Sequence, residues 1–463
     1  MAASKYFFCG IGGSGMLPLA LILRATGAEV AGSDRSLDQG RIADKFAFLE
    51  RQGISLFPQD GSGITSPDQL LVASAAVEES VPDVQAARRV GAGRVTRAEL
   101  LARLFNAAPI SIGVAGTSGK STVTGMIAWI LSRAGKEPTV MNGAVMKNYA
   151  SPEARYASAL SGRGEYFVSE VDESDGSIAL YEPRVAVINN VTLDHKSLDE
   201  LRDLFRSFAQ KAEKVVLNLD DEETRGLLPY VAPGKQVGFS FEGRETALAG
   251  GEIEEGDGFT RFTFSHAGES HEVRLPLWGA HNARNALAAI AAAIACGLPA
   301  AGAAQALATF QGLRRRFEMV GERGGITVVD DFAHNPDKIA ATLRAARTGL
   351  KGRLLLFFQP HGYGPLRLMK QPLIDTFVDG MTEADVLILS DPVYYGGTTD
   401  RSIGSEDIVA GVRAAGRAAE HIADREACGA RLAELARPGD RILVMGARDD
   451  TLSAFAEGML ARL

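Results

Sequence analysis

Short apolar runs alternate with segments of helical periodicity along the first hundred residues. Apolar runs predict strands at Tyr6–Cys9, Glu29–Gly32 and Leu70–Ala73, and the segments between them predict helices at Met16–Ala25 and Arg41–Gln52. Alternation of strands and helices at this spacing is typical of a parallel sheet with helices on its faces.

A second α/β stretch begins near Pro109. Its predicted strands are Ile110–Ala115, Tyr166–Glu170, Val185–Asn189 and Lys214–Leu217. The segment 242–275 is punctuated by glycines and alternates apolar with polar residues, which predicts antiparallel hairpins. An alanine-rich helix at Asn282–Cys296 follows.

A third α/β stretch follows residue 317. Its predicted strands are Ile326–Asp330, Arg353–Phe358, Val386–Leu389 and Arg441–Met445, with helices between them such as Pro336–Arg347. We therefore predict an α/β fold of three domains, with boundaries near residues 107 and 312. A chain of 463 residues is also too long for a single hydrophobic core.

Composition narrows the class of protein. A formal net charge of −8 argues against a nucleic-acid-binding protein, which usually has a basic face. The longest apolar stretch, around Ala286–Ile294, is too short to span a bilayer, and the N-terminus has no signal-peptide pattern. Cys9, Cys296 and Cys428 are odd in number and have no metal-binding spacing, which indicates a reducing, cytoplasmic location.

The segment Gly113–Thr122 has the composition of a phosphate-binding loop. It follows an apolar strand and precedes a predicted helix at Ser121–Ala134. In such loops, backbone N–H groups point at phosphates, a lysine (here Lys120) neutralises them and a hydroxyl (here Ser121) binds Mg²⁺. The pattern is not strict, because Val114 occupies the first glycine position. A glycine-rich turn with a solvated lysine is the alternative.

The loop Gly10–Gly15 follows the first strand, and Asp34 lies about 20 residues further on. This G-x-G-x-x-G spacing indicates a diphosphate at a helix N-terminus, which NAD and UDP would both satisfy. An NAD-linked oxidoreductase is therefore an alternative, although it leaves the loop at Gly113–Thr122 without a role. The second alternative is a tight turn between strand and helix that binds no ligand.

Two polar segments follow strands in the second stretch. Ser169–Gly176 carries four acidic residues, which suits Mg²⁺ bound to phosphates but is also compatible with a solvated turn. Val185–His195 begins as a buried strand and ends in polar residues, where open α/β sheets place ligands. His195 is a candidate metal ligand, or otherwise a structural histidine.

The order and spacing of these segments resemble the Mur ligase family. The resemblance rests on AGTSGKST (115–122), EVDESDGS (170–177) and NNVTLDH (189–195). It continues through Gly279–Asn285, Gly312–Arg316, Asp330–Pro336 and Phe358–His361. It implies a Rossmann-like UDP-binding domain at 1–107, a P-loop ATPase-like domain at 108–312 and a Rossmann-like domain for the amino acid or peptide at 313–463.

The resemblance also implies a reaction. The lactyl carboxylate of UDP-N-acetylmuramate attacks the γ-phosphoryl group of ATP, with Mg²⁺ as cofactor, and an amine displaces phosphate from the acyl phosphate. The amine is L-alanine in the member that Gly10–Gly15 and Phe358–His361 resemble. It is a whole tripeptide in the recycling member that Asp331–His334 resembles. An unusual amine, or a non-catalytic nucleotide-binding paralogue, stays open.

The family's positions are carried over residue by residue. The catalytic candidates are Lys120, Glu173, His195 and Arg315, and the metal candidates are Ser121, Glu173 and His195. The ATP candidates are Gly116, Thr117, Ser118, Gly119, Lys120, Ser121, Thr122, Asn282, Asn285, Arg314 and Asp330. Among Arg314, Arg315 and Arg316 at least one is expected to reach the γ-phosphate, the alternative being a solvated surface run.

The remaining positions concern the acceptor and the amine. The UDP-substrate candidates are Gly12, Gly13, Ser14, Gly15, Ser33, Asp34, Ser74 and Ala75, and the amino-acid candidates are His334, Asn335 and His361. Ser118 stands where the family usually has histidine, Asn335 replaces a second histidine, and Gly362–Pro365 lacks the usual basic residues. Lys211 lies near the position of a carboxylated lysine found in some members. We expect a monomer or a homodimer.

Overall fold

The structure is a computed structural model that describes residues 5–75, 77–151, 153–192, 197–256, 258–393, 400–447, 449 and 451–463. The chain divides into two compact units. The first comprises Met1–Ile253, Phe262–Leu275 and Ala283–Gln311, and the second comprises Glu254–Arg261, Pro276–Asn282 and Gly312–Leu463. In the part of the chain that the structure describes, no helix has the length and apolarity needed to cross a membrane.

A parallel sheet occupies the N-terminal part of the first unit, with the strand order β3-β2-β1-β4-β5. Its strands are β1 (Lys5–Cys9), β2 (Glu29–Ser33), β3 (Ser55–Phe57), β4 (Gln69–Ala73) and β5 (Gly93–Thr96). The accompanying helices are α1 (Met16–Ala25), α2 (Arg35–Asp38), α3 (Ala43–Arg51), α4 (Pro82–Val90) and α5 (Arg97–Asn106). The predicted parallel sheet with helices is confirmed.

The second sheet has the order β15-β14-β13-β12-β11-β10-β6-β9-β7-β8. Its strands are β6 (Ile110–Ala115), β7 (Thr139–Met141), β8 (Ala159–Leu160), β9 (Tyr166–Glu170), β10 (Val185–Ile188), β11 (Lys214–Asn218), β12 (Gln236–Ser240), β13 (Leu248–Gly256), β14 (Phe259–His266) and β15 (Glu269–Leu275). The helices of this region are α6 (Lys120–Arg133), α7 (Leu198–Lys211), α8 (Glu222–Arg225), α9 (Ala280–Ala295) and α10 (Ala300–Leu307). Short 3₁₀ helices lie at Lys147–Tyr149, Ser177–Leu180, Leu228–Tyr230 and Pro233–Lys235.

The third sheet lies in the second unit and has the order β16-β17-β21-β18-β19-β20. Its strands are β16 (Glu318–Arg323), β17 (Ile326–Asp331), β18 (Leu354–Gln359), β19 (Val386–Leu389), β20 (Ala418–His421) and β21 (Arg441–Gly446). Its helices are α11 (Pro336–Arg347), α12 (Tyr363–Leu368), α13 (Lys370–Gly380), α14 (Ser405–Ala414), α15 (Arg425–Leu435) and α16 (Leu452–Arg462). The described pairings are parallel except for β16 with β17.

The apolar runs predicted strands because a parallel strand with helices on both faces of its sheet is buried along its length. The strand Leu354–Gln359 is buried at every position, and so is Arg441–Gly446. The segment predicted as a helix over Arg41–Gln52 is shorter, because α3 begins only at Ala43. A separate turn of helix, α2, comes before it, and the Asp34 carboxylate caps this turn by accepting a hydrogen bond from the Ser36 N–H.

Candidate functional site

The loop between β6 and α6 needs glycine at two positions. Gly116 and Gly119 have φ angles of 129° and 85°, a region that other residues rarely adopt. A Cβ atom on Gly116 would lie 3.0 Å from the Asn190 carbonyl oxygen, and one on Gly119 would lie 2.5 Å from Asn285 Oδ1. The loop therefore keeps its backbone against the end of β10, and its last residues open the fourteen-residue helix α6. A helix N-terminus of this kind favours anions.

Lys120 and Glu173, both predicted from the sequence, form an ion pair in this loop. Lys120 Nζ lies 2.9 Å and 3.1 Å from the two Glu173 carboxylate oxygens and 2.7 Å from the Gly116 carbonyl oxygen. The two side chains are 14% and 7% exposed. Burial alone would lower the pKa of the Lys120 ammonium, but the carboxylates of Glu173 and Glu170 raise it above its usual value. The lysine is therefore held as a cation at the N-terminus of α6.

Ser121 contacts a carboxylate that was not among the selected candidates. Its Oγ donates a hydrogen bond to Glu170 Oε2 at 2.9 Å, and the same oxygen accepts from the Gly143 N–H at 2.9 Å. Glu170 is the last residue of β9, which pairs with the loop strand β6 so that Val114 and Glu170 are opposite. The sequence does carry a signal for this residue. Glu170 is acidic and ends the predicted strand Tyr166–Glu170, which pairs with the strand that leads into the phosphate loop.

The polar end of β10 holds the backbone of the phosphate loop. Asn190 accepts from the Ser118 N–H at 2.8 Å and donates from Nδ2 to the Ser118 carbonyl oxygen at 3.0 Å. The Asn190 carbonyl oxygen accepts from the Thr117 N–H at 3.0 Å, and Thr117 exchanges hydrogen bonds with the backbone of Thr192. The structure thus brings the loop and the predicted ligand-binding strand end together. His195 lies outside the described residues.

The Gly10–Gly15 loop is joined to the end of β2. The Gly10 and Ile11 N–H groups donate to the Ser33 carbonyl oxygen at 2.8 Å and 2.9 Å. The Gly12 N–H donates to Asp34 Oδ2 at 2.9 Å. The loop precedes the ten-residue helix α1, as a diphosphate site requires.

Residues that sequence reasoning did not select also border this loop. Lys45 on α3 is 5% exposed, and its Nζ lies 3.2 Å from the Gly12 carbonyl oxygen. The side chain of Arg97, at the start of α5, lies 3.0 Å from where a Cβ on Gly15 would be. Ser74 and Ala75 follow the strand β4. Single cations on amphipathic helices carry little signal in a sequence, so neither Lys45 nor Arg97 stood out.

In the second unit, Arg314 and Arg315 differ sharply in their surroundings. Arg315 is 8% exposed and has a φ angle of 58°. Its Nη2 donates to the Gly446 carbonyl oxygen at 2.6 Å and its Nη1 to the Asp449 carbonyl oxygen at 2.9 Å, while its Nε lies 3.5 Å from Asp330 Oδ1. Arg314 instead forms an exposed pair with Glu457 at 2.8 Å. Burial raises the pKa of Asp330 to about 6, although Arg315 opposes the shift.

The amino-acid candidates also lie in the second unit. The rings of His334 and His361 meet edge to face, with centroids 5.1 Å apart. Burial lowers the pKa of His334 to about 4, so its imidazole is neutral at neutral pH. Asn335 caps α11 by accepting from the Lys338 N–H at 3.0 Å. Asn282, an ATP candidate in the same unit, donates from Nδ2 to the Trp278 carbonyl oxygen at 2.7 Å.

Comparison with known proteins decides the family. Three family models match the chain: "Mur ligase family, catalytic domain" over residues 5–108, "Mur ligase middle domain" over 114–293, and "Mur ligase, glutamate ligase domain" over 315–448. A protein of Cereibacter sphaeroides named UDP-N-acetylmuramate–L-alanine ligase is 36% identical over 468 residues, which cover 98% of this chain and 96% of the relative. The chain belongs to the Mur ligase family.

Other relatives of this Mur ligase agree. A protein of Geobacter sulfurreducens with the same name is 35% identical, with 99% of this chain and 97% of the relative covered. The crystal structure of a UDP-N-acetylmuramate-alanine ligase from Thermotoga maritima superposes with a TM-score of 0.79 at 25% identity, covering 99% of this chain and 98% of that one. A murein peptide ligase from Psychrobacter arcticus shares the fold, with a TM-score of 0.71 at 24% identity and the same coverage. The family and the three-domain α/β fold predicted from the motifs are confirmed, and the boundaries near 107 and 312 stay predictions.

Proposed function

We propose that this Mur ligase joins L-alanine to the lactyl carboxylate of UDP-N-acetylmuramate, using ATP, in the synthesis of peptidoglycan precursors in the cytoplasm. The observation that carries the proposal is the buried Lys120–Glu173 pair at the head of α6, in a chain that matches L-alanine ligases over nearly its whole length. A solvated turn would not bury both side chains. The three domains 1–107, 108–312 and 313–463 would serve the UDP-sugar, ATP and the amine, respectively.

The proposed chemistry has two steps. A carboxylate oxygen of the acceptor attacks the γ-phosphorus, the bond to the β–γ bridging oxygen breaks, and ADP leaves an acyl phosphate behind. The amine nitrogen then attacks the acyl carbon and phosphate departs, which forms the amide. In phosphoryl transfers of this kind the protein mainly positions the groups and stabilises their charge.

The residues of the phosphate loop would supply that stabilisation. Lys120 would exchange its contact with Glu173 for the β- and γ-phosphates. The N–H groups at the N-terminus of α6 would hold the phosphate oxygens, because those of Thr117 and Ser118 already donate to Asn190. Asn285, whose Oδ1 lies beside Gly119, would face the base. Asn282, Arg314, Arg315 and Asp330, in the second unit, stay predicted nucleotide contacts.

The donor set beside the loop suits Mg²⁺. Ser121 offers a hydroxyl and Glu170 and Glu173 offer carboxylates, and hard oxygen ligands of this kind are those that Mg²⁺ prefers. When bound, Mg²⁺ neutralises negative charge on phosphate oxygens. Of the three predicted metal ligands, Ser121 and Glu173 are thus supported by their position. His195 stays a prediction.

The Gly10–Gly15 loop supports the choice of a UDP-linked acceptor. Its residues Gly12, Gly13, Ser14 and Gly15 precede α1, where the diphosphate would bind. Ser33 ends β2 and Asp34 follows it, and Ser74 and Ala75 follow β4, at the same edge of a parallel sheet. His334, Asn335 and His361 are the proposed amino-acid residues, and a muropeptide is the alternative amine because Asp331–His334 resembles the recycling member.

The proposal is tested by phosphate release from ATP with purified protein, Mg²⁺ and UDP-N-acetylmuramate. The amines compared are L-alanine, glycine, L-serine and the tripeptide L-alanyl-γ-D-glutamyl-meso-diaminopimelate. We expect L-alanine to give the highest kcat/KM. Preference for the tripeptide would assign the recycling reaction instead. Nucleotide binding without phosphate release for any amine would favour a non-catalytic paralogue.

We expect Glu173→Gln to raise the Mg²⁺ concentration for half-maximal activity about tenfold, since one carboxylate ligand is lost. The amide keeps a hydrogen-bond acceptor for Lys120. The measurement is a Mg²⁺ titration of phosphate release. Asp175→Asn, an exposed carboxylate of the same turn, is the matched control and should leave the titration unchanged. If only Glu170→Gln shifts the titration, Glu170 and not Glu173 binds the ion.

A further inference from the structure

One asparagine at the end of β10 connects the phosphate loop to helix α9. Asn189 follows the last residue of β10 and is 3% exposed. Its Nδ2 donates to the Ser118 carbonyl oxygen at 3.2 Å and to Asn285 Oδ1 at 2.9 Å. These partners are 71 and 96 residues away in the sequence, and all belong to the first unit. A single amide thus links two elements that contribute to the proposed ATP site.

The backbone of Asn189 is fixed on both sides. Its N–H donates to the Ala115 carbonyl oxygen at 3.2 Å, and its carbonyl oxygen accepts from Asn218 Nδ2 at 3.0 Å. The Asn189 side chain therefore extends from a rigid position between β6 and β11. Its Oδ1 is buried and accepts no hydrogen bond from any residue in the described ranges. The side chain is consequently held through its Nδ2 alone.

The phosphate loop leaves space for this contact. A Cβ atom on Gly119 would lie 2.5 Å from Asn285 Oδ1 and 2.7 Å from Asn189 Nδ2, so the two amides meet directly beside the Gly119 Cα. With a φ angle of 85°, this glycine also has a conformation that disfavours any side chain. The amide–amide contact and the loop conformation depend on the same missing side chain.

The contact determines which end of the Asn285 amide faces Asn189. A carboxamide has an accepting oxygen and a donating nitrogen. Rotating the Asn285 amide by half a turn would place its Nδ2 against the Asn189 Nδ2, so two donors would meet in a buried place. The hydrogen bond therefore selects one orientation of Asn285 before any ligand binds.

We propose that Asn189 is a positioning residue for recognition of the nucleotide base: it holds the Asn285 amide in one orientation and ties it to Ser118 of the phosphate loop. The inference rests on the proposed function, in which Asn285 faces the base. Asn189 itself contacts neither phosphate nor base. Its effect passes through Asn285, and so it contributes to affinity for a nucleoside triphosphate but not for the triphosphate group alone.

The test is a double-mutant cycle with two ligands in the presence of Mg²⁺. The dissociation constants of AMP-PNP (a non-hydrolysable ATP analogue) and of inorganic tripolyphosphate are measured by calorimetry for the wild type, Asn189→Leu, Asn285→Ala and the double variant. Leucine has the same number and branching of side-chain heavy atoms as asparagine but no polar atom, so it removes both hydrogen bonds and the unsatisfied Oδ1 while keeping a similar shape. Asn189→Ala is the second variant, used if the leucine variant does not fold, as judged by thermal unfolding.

We expect Asn189→Leu to weaken AMP-PNP binding about tenfold, which is the usual consequence of losing one oriented hydrogen bond at a ligand site. Tripolyphosphate binding should change less than about twofold, on the same ground that no phosphate contact is lost. The double variant should bind AMP-PNP no more weakly than Asn285→Ala, because the two residues act as one unit.

Three results would overturn the inference while leaving the proposed function intact. The first is unchanged AMP-PNP binding by the Asn189 variants. The second is a loss of tripolyphosphate binding as large as the loss of AMP-PNP binding. The third is a double variant whose loss of AMP-PNP binding equals the product of the two single losses. The second would place the role of Asn189 in the phosphate loop, and the third would make it independent of Asn285. A wild-type protein that binds neither ligand would instead overturn the proposed function, and this inference with it.

Discussion

Replacing Lys120 with alanine is expected to lower the rate of phosphate release by about 10²–10³-fold, the range seen when a preorganised group that stabilises transition-state charge is removed. The ammonium lies at the head of α6, 2.7 Å from the Gly116 carbonyl oxygen. In the proposed reaction its charge stabilises the transferred phosphoryl group. In the alanine variant, only the backbone N–H groups of the loop remain to stabilise the negative charge of the phosphoryl group.

The variant should still fold, so its far-ultraviolet circular dichroism should match that of the wild type. Removing one partner of the buried Lys120–Glu173 pair should lower the free energy of unfolding, so the rates are compared at a temperature at which thermal unfolding shows both proteins to be folded. Lys136→Ala is the matched control, because this lysine is exposed just beyond the end of α6 and should leave the rate unaltered. Near-normal turnover by the Lys120 variant would show that the loop takes no part in the reaction.

Replacing Arg315 with alanine is expected to lower the free energy of unfolding by about 3–5 kcal/mol, the usual result of breaking a buried ion pair by removing one partner. The substitution leaves the fully buried Asp330 carboxylate without its cation. It also leaves the carbonyl oxygens of Gly446 and Asp449 without their guanidinium donor.

The neighbouring arginine gives the comparison. Arg314→Ala removes an exposed pair with Glu457 and should cost at most about 0.5 kcal/mol. Unfolding of the full-length chain in urea measures both values. Equal stability of the two variants would show that Arg315 has no structural role. Loss of phosphate release by a stably folded Arg315 variant would support the catalytic role predicted from the sequence.

The sequence was informative wherever a function or an element depends on neighbouring residues. The strand Ile110–Ala115 was predicted to the residue, because a parallel strand buried on both faces is a short and nearly continuous apolar run in the sequence. The loop that follows it was readable from Gly116, Gly119, Lys120 and Ser121, since phosphate binding requires glycines, a lysine and a hydroxyl in immediate succession. The family followed from several such short segments in order.

Weaker elements were not predicted, for a related reason. The strands β3, β7 and β8 are three, three and two residues long. So short a run has no periodicity, and its pairing comes from the neighbouring strands. The strand β5 is longer, but its first two residues are exposed and polar or glycine. Tertiary context, not local propensity, makes these segments strands.

The sequence by itself determined the phosphate loop, the order of its accompanying motifs and hence the Mur ligase family, because each of these is a pattern of consecutive residues. Only the tertiary structure decided which acidic residue meets which partner: Glu173 pairs with Lys120, while Glu170 meets Ser121. It alone showed that Arg315 is the buried member of its triplet and that Asn189 meets Asn285. Such pairings join residues 49 to 131 positions apart, so they depend on strand order and packing, which no local pattern specifies.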